Sequence, residues 1–306
     1  MRHMSLGLLG LGLVLIGAGC NSFALMRGSG TQQPVARVPS EVPSKEAILA
    51  YLNENASRVQ SVRCKELDLD VRQGIQPGIG LRGQVVCQKP RNFRMGANVL
   101  GHQEVDVGSN DQEFWFWVKR NSPPHLYHCS YEDLARGVRI PFPFQPEWIM
   151  EAMGIAETGK PEDYEMKVNP TTLELVQRIR SPQGITVTKK TIIQRAAATA
   201  PNPQVLSHSL LDDKGQEICS AHISKVQVDR LTGAIVPKEV KLVCPSEKIE
   251  LKMKFDDLTV NDPSVAQNAQ RLFGRPNLTG VQSFDLARGL DPGPNGIRRI
   301  SGQRID

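Results

Sequence analysis

Short segments in which apolar and polar residues alternate dominate the chain, and this pattern most constrains its fold. From Leu67 to Val71, for example, the apolar residues occupy every second position and acidic residues lie between them. Alternation with a period of two is typical of a β-strand that buries one face. Such segments follow one another from residue 65 to residue 255, and turn residues separate them. The sequence therefore predicts a long series of antiparallel strands.

Helical patterns occur before the strands and in the middle of the series. Ser44 is a candidate N-cap for an apolar stripe with helical spacing. Two shorter helices are predicted over residues 131–136 and 146–154. The fold class expected is mainly β (α+β): a curved antiparallel sheet that forms an incomplete β-barrel, with an N-terminal helix and a helical lid.

The first twenty residues have the features of an export signal. Arg2 precedes an apolar run, Leu6–Ile16, which is too short for a stable transmembrane helix. Small residues then precede Cys20, and the arrangement resembles a bacterial lipobox, although Gly17 stands where Leu is usual. We predict that residues 1–19 are removed and that Cys20 carries acyl chains such as palmitate. The alternative is an ordinary secretory signal with an incidental cysteine.

The remaining chain divides by composition into three parts. Residues 20–43 are rich in Gly and Pro and are expected to form a lipid-anchored, flexible linker. Asn21 replaces the Asp associated with inner-membrane retention, which favours the outer membrane of a Gram-negative-type cell envelope, facing the periplasm. Residues 44–260 form the predicted half-barrel domain. Residues 261–306 form a Gly/Pro-rich tail that is either disordered or lies across the domain.

Two cysteines fall on neighbouring predicted strands. When these strands are paired so that Ala221 lies opposite Leu242, Cys219 lies opposite Cys244 on one apolar face. This is the arrangement of a cross-strand disulfide, and we predict one here. The alternative is two small buried thiols.

A second candidate disulfide joins Cys64 and Cys87, which flank a predicted hairpin. Their side chains fall on different faces of the sheet unless a β-bulge intervenes.

Composition and motifs argue against catalysis and against metal or nucleic-acid binding. The net charge of +5 is not concentrated in a basic patch. No nucleotide-binding, hydrolase or metalloprotease motif is present. His125 and His128 point to opposite faces of a strand, so they cannot share a tetrahedral metal site. We expect no enzyme, cofactor, metal or nucleic-acid partner; a hydrolase with residues scattered in sequence is the last-ranked alternative.

Aromatic residues are concentrated in one region, which contains all three Trp residues. The segment Phe114-Trp115-Phe116-Trp117 places aromatic side chains on both faces of one strand, which implies that both faces are covered. Three more lie in the Pro-rich helical interruption: Phe142, Phe144 and Trp148. These residues either fill the core or form a lid over an apolar concavity that takes an acyl chain or a peptide.

Residues 83–117 resemble the LolA/LolB lipoprotein-carrier family. The likeness is carried by Gly83–Phe93, a strand that ends in a basic residue, Pro and an aromatic, and by Asn110-Asp111, which leads into the aromatic strand. Gln112 departs from the family, which has Gly after the Asp. The resemblance implies a half-closed antiparallel barrel with a helical lid and an apolar cavity.

The same resemblance implies a function and a set of cavity residues. Lys89 matches a family arginine at the cavity mouth that helps to hold the lid, here expected over residues 131–154. The cavity and lid candidates are Lys89, Phe93, Phe114, Trp115, Phe116, Trp117, Phe142, Phe144 and Trp148. The expected function is a membrane-anchored lipoprotein that binds lipid, acyl chains or a lipoprotein. The alternative, similar to the RseB/MucB regulators, is a module that senses or scaffolds an envelope protein partner without carrying cargo.

Overall fold

The computed structural model describes residues 41–288 apart from 122, 137, 139–145 and 182–184. The predicted signal segment, Cys20, Phe142 and Phe144 lie outside the described residues. The strands are β1 (Ser61–Gln73), β2 (Ile79–Gln88), β3 (Asn92–Val99), β4 (His102–Ser109), β5 (Glu113–Val118), β6 (Leu126–Ser130), β7 (Tyr164–Val168), β8 (Thr172–Arg180), β9 (Thr186–Gln194), β10 (Val205–Leu211), β11 (Glu217–Val228), β12 (Ile235–Cys244), β13 (Ile249–Phe255), β14 (Leu258–Val260) and β15 (Ser283–Asp285). The helices are α1 (Lys45–Ser57), α2 (Tyr131–Ala135), α3 (Pro146–Ala152), α4 (Pro263–Gln267) and α5 (Ala269–Leu272), with a 3-10 turn at Pro161–Asp163.

The strands form one sheet made of two antiparallel meanders. Strands β1–β6 form the first meander and β7–β13 the second, and the pairing of β1 with β13 joins them. Helices α2 and α3 lie in the connection between the meanders. The sheet ends at β7 on one side and β15 on the other, so it curves without closing into a barrel. The predicted fold class is confirmed.

The concave face of the sheet holds the main hydrophobic core. Phe93, Phe114 and Phe116 of the first meander lie in this core with Met150 and Met153, at the end of α3 and just after it. Helix α1 begins at Ser44, whose hydroxyl accepts a hydrogen bond from the Ala47 amide at 3.2 Å. It packs its apolar side against β8 and β9 of the second meander.

The C-terminal segment, residues 261–288, covers the outer face of the first meander. Phe273 packs against Val86, and Leu278 and Val281 pack against the aromatic residues of β5. Strand β15 then pairs in parallel with β6. Over these residues the structure shows the second of the two alternatives for the tail, a segment that lies across the domain.

Trp115 is fully buried beneath this segment because its neighbours leave room for its ring. Its indole nitrogen donates to the carboxylate of Asp106 at 3.1 Å, and Arg94 pairs with the same carboxylate at 2.9 Å. Gly108 lies opposite Trp115 in the sheet, and a Cβ at Gly108 would lie 2.3 Å from the indole ring. The aromatic residues of β5 are therefore covered on both faces, as the sequence implied.

We predict that Gly108→Ala destabilises the protein by about 1–3 kcal/mol, because the added methyl group displaces the Trp115 ring from its site. Urea denaturation measures the loss. Gly96→Ala is the matched control, since a Cβ at that position on β3 meets only the Val105 carbonyl oxygen, at 3.9 Å. Equal losses in the two variants would contradict the packing described here.

The structure supports neither the predicted Cys219–Cys244 disulfide nor the second candidate, Cys64–Cys87, since all five described cysteines are free thiols. The predicted register of β11 and β12 is correct, with Ala221 opposite Leu242. The sulfur atoms of Cys219 and Cys244 lie 3.1 Å apart, which is thiol contact and not a covalent bond. The contact with Cys244 and burial both raise the pKa of the Cys219 thiol.

The second candidate pair fails for a different reason. Cys64 lies opposite Val85 and Cys87 lies opposite Val62, so the two thiols are not cross-strand partners. A β-bulge between Cys64 and Leu67 brings both cysteines into the core. Burial raises the pKa of Cys64 to about 11.

Candidate functional site

A cavity of about 320 Å³ lies between α1, the end of α3 and the concave face of the second meander. It exists because the inward residues of this meander are of modest size, whereas those of β5 in the first meander are aromatic. Apolar side chains make up much of its wall: Leu52, Leu175, Ile179, Ile223, Val226 and Val236. Tyr51 and Val228 also line it and are 40% and 50% exposed, so the cavity opens to solvent beside α1.

Hydrogen bonds hold the roof of the cavity over the sheet. The roof is the segment of residues 146–160, which includes α3. The Asn53 side chain on α1 accepts hydrogen bonds from the Thr158 amide at 2.7 Å and from its hydroxyl at 3.0 Å. The Asn55 side chain pairs with the backbone of Ile235, the first residue of β12, at 2.7 and 2.9 Å. Helix α1 is thereby fixed to both the roof and the sheet.

Lys89 contacts the roof segment from outside the cavity. Its ammonium group donates to the Ala56 carbonyl oxygen near the end of α1 at 2.8 Å and lies 3.2 Å from the Glu157 carboxylate. Glu157 itself lines the cavity. Lys89, the residue after β2, therefore links the end of that strand to α1 and the roof segment, although it is not part of the cavity wall.

The aromatic candidates occupy three different places. Phe93, Phe114 and Phe116 lie in the main core, and Trp115 and Trp117 pack under the C-terminal segment. None of these five lines the cavity. Trp148 lines a smaller adjoining cavity of about 40 Å³.

A cluster of polar side chains, which we call the polar junction, lies where the two cavities meet. It consists of Glu151 on α3, Lys189 on β9 and His208 on β10, and all three line both cavities. Lys189 and Glu151 form an ion pair. The Nδ1 atom of His208 lies 3.1 Å from the hydroxyl of Thr191, its cross-strand neighbour.

Burial shapes the chemistry of the polar junction. Desolvation lowers the pKa of His208, and Lys189 adds to this effect, whereas Glu151 opposes it. His208 is therefore neutral at pH 7, beside one positive and one negative group. An apolar cavity with a few convergent polar groups is suited to binding an amphiphilic molecule.

The sequence did not mark the polar junction in advance. Thr191 and Lys189 lie at alternate positions of β9. The sequence alone does not distinguish an inward polar residue that belongs to a site from one that has no such role. The signal that was available, two polar residues sharing a face with Ile193, is too common to single out a site.

Neither a metal site nor a membrane span is found among the residues that the structure describes. Nowhere in them do three or more His, Cys, Asp or Glu side chains come together in a way that could hold a metal ion. No helix in the same residues is both long enough and apolar enough to cross a bilayer.

Comparisons with known proteins find similarity only at the level of structure. No family model matches the chain, and no curated protein matches it at a significant level. The solved structures that it resembles include a domain provisionally described as an outer membrane lipoprotein-sorting protein from Vibrio parahaemolyticus. This domain is 10% identical, with 75% of this chain and 99% of the other covered and a TM-score of 0.46.

Two further structures are similar to the same extent. A DUF1329 family protein from Desulfovibrio piger is 10% identical, with 70% and 91% of the two chains covered and a TM-score of 0.45. A LolA superfamily protein from Nitrosomonas europaea is 12% identical, with 71% and 96% covered and a TM-score of 0.42. A LolA superfamily structure is thus among the solved structures that this chain resembles.

We predict that His208 makes the protein less stable as the pH falls through about 6.5, the pKa of an unperturbed histidine. The unfolded state binds a proton there that the folded state, with its lowered pKa, does not, so the free energy of unfolding decreases. Urea denaturation between pH 5 and pH 8 measures the slope, which His208→Asn is expected to reduce.

A residual slope is expected in that variant, because burial also lowers the pKa of His128. The control is His102→Asn, which changes an exposed residue of β4. This variant is expected to keep the slope of the unsubstituted protein. An unchanged slope in His208→Asn would contradict the placement of His208.

Proposed function

We propose that this protein is a lipid-anchored protein of the bacterial cell envelope that binds an acyl chain in the cavity under residues 146–160. The observation that carries the proposal is the cavity itself, whose volume of about 320 Å³ falls in the range of small-molecule sites. Aliphatic side chains make up much of its wall, beside polar residues such as Gln177 and Asn202, and its opening between Tyr51 and Val228 gives an apolar chain a route from solvent.

Binding without catalysis accounts best for the residues around the cavity. The apolar walls match a hydrocarbon chain, and burial of that chain from water supplies about 0.8 kcal/mol per methylene group. Asn53 and Lys89, which fasten the roof segment to α1 and to the end of β2, would keep the roof in place over a bound chain. In this proposal Lys89 acts at the roof from outside, and the aromatic residues of β5 act as core.

The membrane anchor rests on the sequence of the first twenty residues. A cysteine at the end of an apolar signal segment, followed by a Gly/Pro-rich linker, supports a domain held on a tether at the membrane surface. An acyl-binding domain held there would meet lipids or lipoproteins as its ligands. The outer membrane, facing the periplasm, is the proposed location.

The acyl-binding proposal predicts that dodecanol binds and that Ala198→Trp weakens this binding at least ~10-fold by filling the cavity. Ala198 lines the cavity, whereas the adjacent, exposed Ala197 does not, so Ala197→Trp is the matched control. Isothermal titration calorimetry with the full chain measures both. If dodecanol fails to bind the unsubstituted protein at tens of micromolar, the acyl-binding proposal is wrong and the protein-sensing alternative replaces it.

The anchor predicts a separate result. Cys20→Ala is expected to move the protein from the detergent-rich phase to the aqueous phase in detergent phase separation, because the acyl chains are then missing. The matched control is Ala18→Ser, which keeps a small residue before the attachment site. Unchanged partitioning of Cys20→Ala would contradict the anchor without bearing on the cavity.

A further inference from the structure

The polar junction places charge inside a cavity whose other lining residues are uncharged, apart from Glu157, which pairs with Lys89. Lys189 and Glu151 are only 25% and 26% exposed, and they come from different elements, the sheet and the roof. Removing two charges from water costs free energy that their attraction often fails to recover, and an apolar pair of similar size would hold α3 to β9 as well. The retained charges therefore point to a ligand with a polar group.

The polar junction contains hydrogen-bonding groups that have no partner among the described residues. The Lys189 ammonium group has three N–H donors, and Glu151 is the one acceptor that the described residues give it. His208 uses Nδ1 for Thr191, and its Nε2 atom has no partner among the described residues. Free donors on Lys189 and a free ring nitrogen on His208 thus lie in the walls of the two cavities.

The charge balance selects the kind of polar group. Lys189 and Glu151 cancel, so an arriving carboxylate would be an uncompensated anion in a desolvated site. His208 is the group that can correct this by taking up a proton from solution. The groups facing it are Glu151 from α3 and Lys189 from β9, and its neighbour on β11 is Ala221, which carries no charge. A cationic ligand would instead meet Lys189 at close range.

We propose that the polar junction binds the acid group of a long-chain carboxylic acid, between Lys189 and a protonated His208, while its hydrocarbon chain fills the cavity. Binding takes up one proton for each carboxylate bound, and no covalent bond forms or breaks. This proposal rests on the proposed acyl-binding function, and it adds the chemical class of the ligand.

The test compares three twelve-carbon ligands on the full chain: dodecanoate, dodecanol and dodecyltrimethylammonium. We expect dodecanoate to bind at least ~10-fold tighter at pH 6 than at pH 8, since one proton is taken up on binding. The affinity for dodecanol is expected to stay constant over this range, and the cationic ligand to bind most weakly. Titration calorimetry in buffers of different ionisation enthalpy counts the protons directly.

Two substitutions separate a binding role from a structural one. Glu151→Gln frees Lys189 for the ligand, so we expect dodecanoate to bind at least ~10-fold tighter at pH 8 and with little proton uptake. Loss of a purely structural ion pair would weaken binding instead. His208→Asn is expected to abolish the proton uptake, and persistence of that uptake would overturn the role of His208.

Lys189→Met is expected to weaken the binding of dodecanoate more than the binding of dodecanol, because only dodecanoate has a carboxylate for Lys189 to bind. Lys241→Met is the control, because Lys241 pairs with Glu250 and does not line the cavity. Equal, pH-independent binding of dodecanoate and dodecanol to the unsubstituted protein would overturn this inference and leave the acyl-binding function intact. Failure of dodecanol to bind would overturn the proposed function itself.

Discussion

The pairing of β1 with β13 is the interaction on which the rest of the structure depends. It runs from Leu67 opposite Phe255 to Gln73 opposite Ile249 and joins two meanders that are far apart in sequence. Without it each meander would expose an unpaired strand edge and half of the concave face. With it, one continuous curved face receives α1 on the second meander and α3 against the core, and the space left between them and the strands is the cavity.

The two meanders use this concave face differently. In the first, large side chains such as Phe93, Phe114 and Phe116 fill the interior to the density of a core. In the second meander, the side chains that line the cavity are either smaller than these aromatic rings or polar, as Thr191 and His208 are, and the interior stays open. A fold of one continuous sheet thus separates a stabilising half from a half with space for a ligand. The roof segment borders both, because Met150 and Met153 pack into the core while Glu151 faces the cavity.

The sequence predicted the sheet well because the alternation of apolar and polar residues within each segment is enough to identify a strand. Alternation fixed which residues of β11 and β12 face inward, and from this the register of Ala221 and Leu242 followed. Aromatic residues on both faces of β5 correctly implied a cover on each face. The position of the cavity was not predictable in the same way, since aromatic side chains mark where an interior is filled. Its walls depend on contacts between α1 and strands more than a hundred residues later, which no local pattern records.

The disulfides show the other limit of local patterns. The register of β11 and β12 brings the sulfur atoms of Cys219 and Cys244 into contact. Cross-strand pairing, however, determines only how close two sulfur atoms lie and not whether a bond forms between them. For Cys64 and Cys87, the bulge in β1 places both side chains on the same face of the sheet. The register nevertheless pairs Cys64 with Val85 and Cys87 with Val62, so the two cysteines do not lie opposite each other.

The cover on the outer face of the first meander also has a consequence for biosynthesis. A ribosome makes β5 well before residues 278–281, which bury Trp115 and Trp117. Until the end of the chain emerges, the first meander carries an uncovered aromatic surface with the Asp106 carboxylate beneath it. The aromatic strand of the first meander is therefore made early and is buried on its outer face only when residues 278–281 have been added.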